Sequence, residues 1–361
     1  MTADHKFYTV RLNRYIRKFS KYSGASLIVD SANIRYLTGF DCPDCGCLLV
    51  THDACLIFFT TSLYSAKSCM HRGWDVRTYK SLHDLYKQIA LLIRSKDIDR
   101  LAIAKQDFNI QKYSIFEDIA DDFGFEPVFS NGEIESMRMK KDAHELVNIR
   151  KAAEITREAF IYCDSICRQM HSEKALSIEL EKFLRLKGDN DLAFAPIIAS
   201  GMNSVFPHHL PQNNINKETH ILVDIGAKYN GYCADLTRIF FLGKIPRKLQ
   251  KIYDIVCFAA DNAIKKVHIG VKASDIDLAA RKVIEDKGFG RYFGHGTGHG
   301  VGLNVHERPG ISHSSTDIID EGFVITIEPA IYLPGSYGIR VEYMVIVNKN
   351  KGEIIYADTD R

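Results

Sequence analysis

The sequence lacks the long apolar run that a membrane span needs and the apolar core of an export signal. No apolar stretch approaches the ~18 residues of a transmembrane helix, and the N-terminal MTADHKFYTV is largely polar. Strong charge is missing as well, because the 361 residues carry a formal net charge of only +2 with Lys and Arg spread along the chain. These absences predict a cytoplasmic protein that binds neither a membrane nor nucleic acid.

A disulfide framework is not expected either. The nine cysteines are odd in number and scattered along a chain without an export signal. Three of them, Cys42, Cys45 and Cys47, form the cluster CPDCGC, which could hold zinc or exchange disulfides. A structural zinc site needs four ligands, however, and no second cysteine pair lies nearby. The cluster therefore favours a Pro/Gly turn between two strands, and a metal or redox role stays open.

A glycine- and histidine-rich stretch at 294–310, GHGTGHGVGLNVHERPG, lacks two familiar patterns. The dinucleotide-binding fingerprint G-x-G-x-x-G fails because His299 occupies the place of the third glycine. The zinc-peptidase pattern H-E-x-x-H that could start at His306 fails because Gly310 occupies the place of its second histidine. The partners of these histidines must therefore come from elsewhere in the chain.

Two different patterns divide the chain near residue 132. Up to there, apolar strand-like runs alternate with segments of helical periodicity, which predicts a small α/β domain over 1–132. Over 133–361 a longer unit occurs twice, each time with two helices, a histidine-bearing stretch and a hairpin. This repeat predicts an α+β fold whose second domain has two pseudo-symmetric α/β halves. We expect their hairpins to lie side by side in one central sheet.

The first hairpin places two aspartates on one face of its sheet. Asn230-Gly231 is a strong signal for a two-residue turn, and the register it implies sets Asp224 opposite Thr237. Asp224 and Asp235 then become diagonal neighbours, with Cα atoms about 7 to 8 Å apart. Two carboxylates in a strand of buried character are costly unless cations compensate them.

Glutamates repeat this arrangement in the second hairpin. A turn of five residues, 334–338, would pair Leu333 with Ile339 and place Glu328 on the same face as Glu342, again as diagonal neighbours. A turn of even length would place the two glutamates on opposite faces, so this prediction depends on the turn.

Four carboxylates and at least one histidine on one sheet match the requirements of two divalent ions about 3.5 to 4 Å apart. Oxygen-rich ligation with one imidazole indicates Mn²⁺, with Co²⁺ or Zn²⁺ as alternatives, and argues against a thiolate zinc site. A single carboxylate of the four would be interpreted as an ordinary surface charge. Four at these spacings favour a metal centre.

These residues resemble those of the creatinase/aminopeptidase superfamily with the pita-bread fold, the M24 metallopeptidases. Within it, the sequence is similar to the proline-specific branch of Xaa-Pro aminopeptidases and Xaa-Pro dipeptidases (prolidases). The matching motifs follow in order along nearly the whole chain: YLTGF at 36–40, DIGAKYNGYCADLTR at 224–238, the stretch at 294–310, IEPAIY at 327–332 and GIRVEY at 338–343. The resemblance implies a pita-bread catalytic domain preceded by a smaller creatinase-like domain.

The resemblance also implies a ligand set. Carried over position by position, its metal ligands are Asp224, Asp235, His299, Glu328 and Glu342. Asp235 and Glu342 would bridge two ions, Asp224 would bind one ion, and His299 with Glu328 would bind the other. Glu328 would in addition carry a proton to the leaving nitrogen.

Further site residues follow from the same resemblance. His306 matches a histidine that stabilises the tetrahedral intermediate, His208 and His295 match histidines that contact substrate, and Arg340 matches an arginine that supports the carboxylates. Three positions depart from the family pattern: Tyr343, Ala330 and His209. Metal ligation is expected to survive these departures, whereas substrate preference is put in doubt.

The implied activity is metal-dependent hydrolysis of the Xaa-Pro bond at peptide N-termini, by a homodimer that binds peptides with proline second. The proline nitrogen carries no N–H in such a peptide and its ring fixes φ, so a dedicated pocket is expected. A dipeptidase restricted to Xaa-Pro dipeptides is the alternative within the branch. A noncatalytic pita-bread binding protein is the alternative of another class, and the five filled ligand positions argue against it.

Overall fold

The computed structural model describes residues 3–42, 46–64, 74–349 and 351–355. The chain divides into two compact units, Met1–Arg138 and Met139–Arg361. The boundary predicted between residues 132 and 133 precedes a helix, Glu133–Met139, that lies almost wholly in the first unit. In the described ranges no helix is long and apolar enough to cross a membrane, and the cytoplasmic location stays a prediction.

A mixed sheet with helices forms the first unit. Its strands are β1 (Ala25–Ile28), β2 (Cys47–Thr51), β3 (Leu56–Thr60), β4 (Asp75–Thr78), β5 (Arg100–Ile103) and β6 (Glu126–Phe129). Its helices are α1 (Ala3–Phe19), α2 (Ser31–Thr38), α3 (Leu82–Ser95), α4 (Ile110–Phe123) and α5 (Glu133–Met139). The strands run in the order β4-β3-β2-β1-β5-β6, with parallel pairs at β3–β4, β1–β5 and β5–β6. The predicted small α/β fold is confirmed.

Helix α3 illustrates how the sequence builds this unit. Ser81 caps its N-terminus by accepting a hydrogen bond from Asp84 N at 3.2 Å. Leu85, Ile89 and Ile93 recur at the four-residue spacing of one helix face and are all buried. Burying an aliphatic side chain of this size contributes roughly 1.5–3 kcal/mol, so this face fixes the helix against the sheet.

The cysteine cluster lies in this unit. Cys42 and Cys47 are both buried, and Cys45 lies outside the described residues. The predicted turn between two strands, which depends on Cys45 and its neighbours, lies outside them too.

The second unit contains the predicted repeat. Its helices are α6 (Ala143–Ile166), α7 (Glu173–Lys187), α8 (Arg247–Lys266) and α9 (Ala273–Asp286). Its strands are β7 (Ile197–Ser200), β8 (His220–Ile225), β9 (Lys228–Tyr229), β10 (Tyr232–Cys233), β11 (Leu236–Phe241), β12 (Gly298–Gly300), β13 (Glu307–Ile311), β14 (Val324–Ile327), β15 (Ala330–Leu333), β16 (Tyr337–Arg340), β17 (Tyr343–Val347) and β18 (Gly352–Ile354). Helices α6 and α7 precede the sheet of β7, β8 and β11, and helices α8 and α9 precede the sheet of β12, β14 and β17.

The expectation of one central sheet is wrong. The strands form a three-stranded sheet, β11-β8-β7, a five-stranded sheet, β13-β12-β14-β17-β18, and the two short hairpins β9–β10 and β15–β16. The second hairpin is interrupted at its two glutamates, because the backbone N–H of each bonds to a residue outside that hairpin. Glu328 N donates to Thr297 O at 2.7 Å and Glu342 N donates to Thr237 O at 3.2 Å. The second of these bonds connects the two halves, because Thr237 belongs to the first half and Glu342 to the second.

The register predicted for the first hairpin is confirmed, because Asp224 pairs with Thr237. Asn230 and Gly231 have φ angles of 47° and 80°. Two successive positive φ values are typical of the type I′ turn, whose twist matches that of the flanking strands.

The five-residue turn predicted for the second hairpin is wrong. Leu333 pairs with Tyr337, which leaves a three-residue turn at 334–336. Ser336 N donates to Leu333 O at 3.0 Å, and Gly335 between them has a φ of 71°. Proline followed by glycine at positive φ is typical of a type II turn, and this turn closes the hairpin two residues early.

The shorter turn changes how the two glutamates face each other. Ile327 pairs with Tyr343 and Ala330 pairs with Arg340, so one register holds on both sides of the glutamates. Within this register Glu328 is directly opposite Glu342, and not diagonal to it. The prediction that both lie on one face survives because the turn still has an odd number of residues.

Candidate metal centre

Four carboxylates of the second unit meet where its hairpins begin and end. Asp224 lies in β8, Asp235 directly precedes β11, Glu328 follows β14 and Glu342 lies between β16 and β17. Carboxylate oxygens of Asp224, Asp235 and Glu342 lie within 4.8 Å of one another. The side chains are buried, except that Glu328 keeps 17% exposure. This is the set of carboxylates predicted from the two hairpins.

Strand β12 brings His299 to these carboxylates. Its Nε2 lies 3.5 Å from Oδ2 of Asp235 and 3.5 Å from Oε1 of Glu328. Its Nδ1 is 3.1 Å from Gly300 O, so Nδ1 carries the proton and the lone pair of Nε2 faces the carboxylates. Burial, followed by the charge of nearby His306, lowers the pKa of His299 to about 4. The ring is therefore neutral at pH 7, which is the form that binds metals.

The carboxylates disfavour one another's ionised form. Burial first, and then the charges of neighbouring carboxylates, raise the pKa of Asp235 and of Glu342 well above their usual range. Burial also raises the pKa of Glu328 to about 7, although Arg340 opposes this shift. Carboxylates brought together in a buried site need positive charge to remain ionised.

Among the described residues, Arg340 is the cation whose side chain donates a hydrogen bond to this cluster. Its Nη2 donates to Oδ2 of Asp224 at 2.5 Å and its Nε donates to Oγ1 of Thr237 at 3.0 Å. Thr237 Oγ1 in turn donates to Oε2 of Glu342 at 2.9 Å. One guanidinium thus fixes two of the four carboxylates, one directly and one through a hydroxyl.

Two oxygens of the cluster keep unused lone pairs. Oδ1 of Asp224 and Oε1 of Glu342 are buried and have no hydrogen-bond partner among the described residues. Leaving a buried charged acceptor unsatisfied costs at least about 1–3 kcal/mol. Their other oxygens are bonded to Arg340 and Thr237. The unpaired oxygens and the neutral imidazole fit hard or borderline divalent ions.

The cluster lies in the wall of a cavity of about 840 Å³. Its lining includes all five predicted ligands together with His208, His295, His306 and Arg340. A cavity of this size holds several amino-acid residues of a peptide. All nine predicted site residues therefore reach one space.

The three other predicted histidines occupy different surroundings. His208 is exposed at the cavity wall. His306 is exposed as well, and its ring contacts that of His299 edge-on with a centroid separation of 4.3 Å. Burial and nearby His208 lower the pKa of His306, so it faces the cavity as a neutral ring.

His295 differs because both of its ring nitrogens have partners. Nδ1 is 2.7 Å from Gly296 O and Nε2 is 3.2 Å from the hydroxyl of Tyr332. Arg340 Nη1 donates to that hydroxyl at 2.8 Å, so the hydroxyl proton is directed at Nε2 of His295. Burial lowers the pKa of His295 to about 4, consistent with an accepting, neutral ring.

Sequence reasoning missed Tyr332 and Thr237 as members of the site. Both lie within motifs already recognised, IEPAIY and DIGAKYNGYCADLTR. Tyr332 and Arg340 lie diagonally on the β15–β16 hairpin, so a correct turn length would have placed the phenol beside the guanidinium.

The structure also places the three positions that depart from the family pattern. The guanidinium of Arg238 lies over the ring of Tyr343, with its Cζ 4.9 Å from the ring centroid. Ala330 is fully buried directly opposite Arg340. His209 is buried, and its contacts lie outside the carboxylate cluster.

The sequence profile of Metallopeptidase family M24 matches residues 147–349, and that of the Creatinase/Prolidase N-terminal domain matches residues 12–140. The Xaa-Pro dipeptidase of Pyrococcus horikoshii is 30% identical over 334 residues, covering 90% of each chain. The solved X-Pro aminopeptidase of Thermotoga maritima superposes with a TM-score of 0.85 at 31% identity, covering 96% of this chain and 99% of that one. The prolidase of Thermococcus sibiricus superposes with a TM-score of 0.89 at 32% identity, covering 98% of each.

Proposed function

The chain belongs to metallopeptidase family M24, and we propose that it is an Xaa-Pro aminopeptidase that works with two divalent ions, Mn²⁺ first among them. The observation that carries this proposal is the cluster of four carboxylates and one neutral imidazole in the wall of a peptide-sized cavity. Relatives of similar length are named as Xaa-Pro dipeptidases and as aminopeptidases, so the reaction class has support from both.

The two ions would share the cluster between them. Asp224, Asp235 and Glu342 offer one group of ligand atoms, and His299, Glu328 and Glu342 offer a second. Glu342 occurs in both groups, and Asp235 occurs in the first and in a third group with His299 and His306, which supports a bridging role for Asp235 and Glu342. When bound, such ions polarise a carbonyl and activate water.

Glu328 is suited to move the proton. It keeps some exposure to the cavity, and a carboxylate beside a metal-activated water is suited to general acid-base work. We assign Glu328 Oε2 to take a proton from the attacking water and to deliver it to the proline nitrogen. That nitrogen must be protonated to leave as a neutral amine, because it would otherwise have to leave as an amide anion.

The other predicted residues would bind and orient the peptide. His306, beside His299, is placed to donate to the carbonyl oxygen as it gains negative charge. His208 and His295 would contact the substrate from the cavity wall. Arg340 would hold Asp224 in place through the bond described above.

The cations available at the cavity support aminopeptidase over dipeptidase. An enzyme restricted to dipeptides benefits from a cation that recognises the free C-terminal carboxylate of every substrate. Among the described residues that line the cavity there is no lysine, and the one arginine, Arg340, already binds Asp224, Thr237 and Tyr332. An open cavity without such a cation suits peptides that continue beyond proline.

The test compares Mn²⁺-loaded protein on Xaa-Pro dipeptides and on Xaa-Pro-Yaa tripeptides of the same first residue, with Xaa-Ala-Yaa as the control for proline. We expect release of Xaa from the tripeptide with kcat/KM at least tenfold above that for the dipeptide. Cleavage of dipeptides only would establish the dipeptidase instead. No cleavage of any peptide by metal-loaded protein would favour the noncatalytic binding protein. Light scattering on the same sample checks the proposed homodimer.

A further inference from the structure

Glu173, the first residue of α7, is a fully buried carboxylate that receives an unusual number of hydrogen bonds. Oε1 accepts from Ser200 N and Ser200 Oγ, both at 2.7 Å, and from Asn203 Nδ2 at 2.9 Å. Oε2 accepts from Gln212 N at 3.0 Å and lies 2.7 Å from His209 Nε2. Burial opposes ionisation, yet these bonds lower the pKa of Glu173 below its usual value. The side chain is therefore an anion at neutral pH.

All of these donors belong to one segment, residues 200–212, which we call the His208 loop. The backbone of the same helix start also binds the end of this loop, because Lys174 N donates to Gln212 O and Glu173 N donates to Asn214 O, two residues beyond the loop. The first N–H groups of a helix have no partner inside it. The helix start thus holds the far end of the His208 loop through both side chain and backbone.

The opposite side of the His208 loop is hydrogen-bonded to the β15–β16 hairpin. Ser204 Oγ accepts from Gly338 N at 2.8 Å, and Pro207 O accepts from Arg340 Nη1 at 3.4 Å. Residues 207–211 of the His208 loop form part of the cavity wall. The position of that wall therefore depends on the bonds to Glu173 on one side of the loop and on the bonds to Gly338 and Arg340 on the other.

Neighbouring histidines in this segment have opposite environments. His209 is 7% exposed and has its Nε2 on Glu173, whereas His208 is exposed at the cavity. His208 has no hydrogen-bond partner among the described residues, so its own contacts do not fix it. Its position depends on the backbone that His209 and Glu173 hold.

We propose that His209 is a positioning residue: its hydrogen bond to Glu173 holds the His208 loop so that the imidazole of His208 is presented to the peptide. This inference rests on the proposed peptidase function, because His208 needs a substrate to contact. His209 itself does not touch the peptide and acts only through its neighbour.

The kinetic test is a double-mutant cycle of His208→Ala and His209→Ala on the Xaa-Pro-Yaa peptide. Loss of a hydrogen bond to a charged group, roughly 1.5–3 kcal/mol, corresponds to a fall of about 10- to 100-fold in kcat/KM. We expect His209→Ala to approach the loss of His208→Ala, and the double variant to be no slower than His208→Ala alone. Single losses that multiply in the double variant would overturn the proposal.

A conservative variant separates positioning from simple destabilisation. His209→Gln retains an N–H that can donate to Glu173, and we expect it to recover most of the activity. His209→Phe fills the site without donating, and replaces His209→Ala if that variant does not fold. Equal activity of the Gln and Phe variants, with Mn²⁺ content and thermal unfolding unchanged, would overturn the proposal.

A measurement independent of activity distinguishes this inference from the proposed function. In protein labelled with ¹³C,¹⁵N-histidine, the ring resonance of His208 is identified by its loss in His208→Ala. We expect it to shift and broaden in His209→Phe and to stay in place in His209→Gln. An unchanged His208 resonance in His209→Phe would overturn the positioning role, whether or not the wild-type protein cleaves a peptide.

Discussion

Replacing Thr237 by valine removes one hydroxyl at the centre of the site while keeping the side-chain volume. That hydroxyl donates to Glu342 at 2.9 Å and accepts from Arg340 at 3.0 Å, and Thr237 is fully buried. Each hydrogen bond to a charged partner contributes roughly 1.5–3 kcal/mol. Because the two bonds share one oxygen they are not independent, and we expect the free energy of unfolding to fall by about 3 kcal/mol.

The same change should weaken metal binding. Glu342 loses the donor that orients its carboxylate, and loss of such an outer partner typically lowers metal affinity about 10- to 100-fold. Isothermal titration with Mn²⁺ measures the affinity, and urea unfolding of the chelated protein measures stability.

Thr156→Val is the matched control. Thr156 is also fully buried, but its hydroxyl bonds only to neutral groups, Ala152 O and Ala227 N, each at 2.9 Å. We expect it to cost roughly 1–2 kcal/mol with Mn²⁺ affinity unchanged. Equal loss of stability in the two variants, with wild-type Mn²⁺ affinity in Thr237→Val, would refute the idea that Thr237 couples Arg340 to Glu342.

Three further predictions follow from single contacts. His299→Ala should lower the Mn²⁺ content measured by elemental analysis, whereas His306→Ala should keep the metal and lower kcat. Unchanged metal content in His299→Ala would show that His299 is not a metal ligand. Tyr343→Leu should cost roughly 0.5–2 kcal/mol in urea unfolding, because the ring lies 4.9 Å from the Arg238 guanidinium, and Tyr343→Phe should cost less. Burial lowers the pKa of His220 to about 4, so the folded state binds fewer protons than the unfolded state below pH 6.5. Stability should therefore fall by up to about 3 kcal/mol from pH 6.5 to 4, and His220→Gln, which lacks that titration, should fall by less.

The sequence predicts most reliably those features that residues adjacent in the chain determine. Asn230-Gly231 fixed the first register because both residues accept positive φ and the turn has no alternative length. The second register depended on a turn whose length the glycines left open, and Pro334-Gly335 closed it earlier than expected. The face of each glutamate was nevertheless correct, because only the parity of the turn decides it.

Contacts between segments that are distant in the chain could not be predicted from the sequence. The backbone N–H groups of Glu328 and Glu342 bond to Thr297 O and Thr237 O, outside the second hairpin. No local pattern in the sequence indicates these bonds or the division into two sheets. Glu173 lies 27 residues before Ser200, with which it makes two of its bonds. A glutamate at a helix start is ordinarily a favourable partner of the helix dipole, so its sequence context gave no reason to connect it with the cavity.

The charges of the four carboxylates and Arg340 explain why the cluster costs folding free energy and why it would serve the proposed reaction. If all four carboxylates ionise, their sum with the single guanidinium of Arg340 is −4 + 1 = −3, inside a site that is largely buried. Two divalent cations would add +4 and would leave +1. Such a positive remainder would favour a carbonyl oxygen that becomes negative over the neutral ground-state peptide, and differential stabilisation of this kind accelerates a reaction. Burial and the repulsion between carboxylates, which raise the pKa of Asp235 and Glu342, would thus also favour the binding of doubly charged ions.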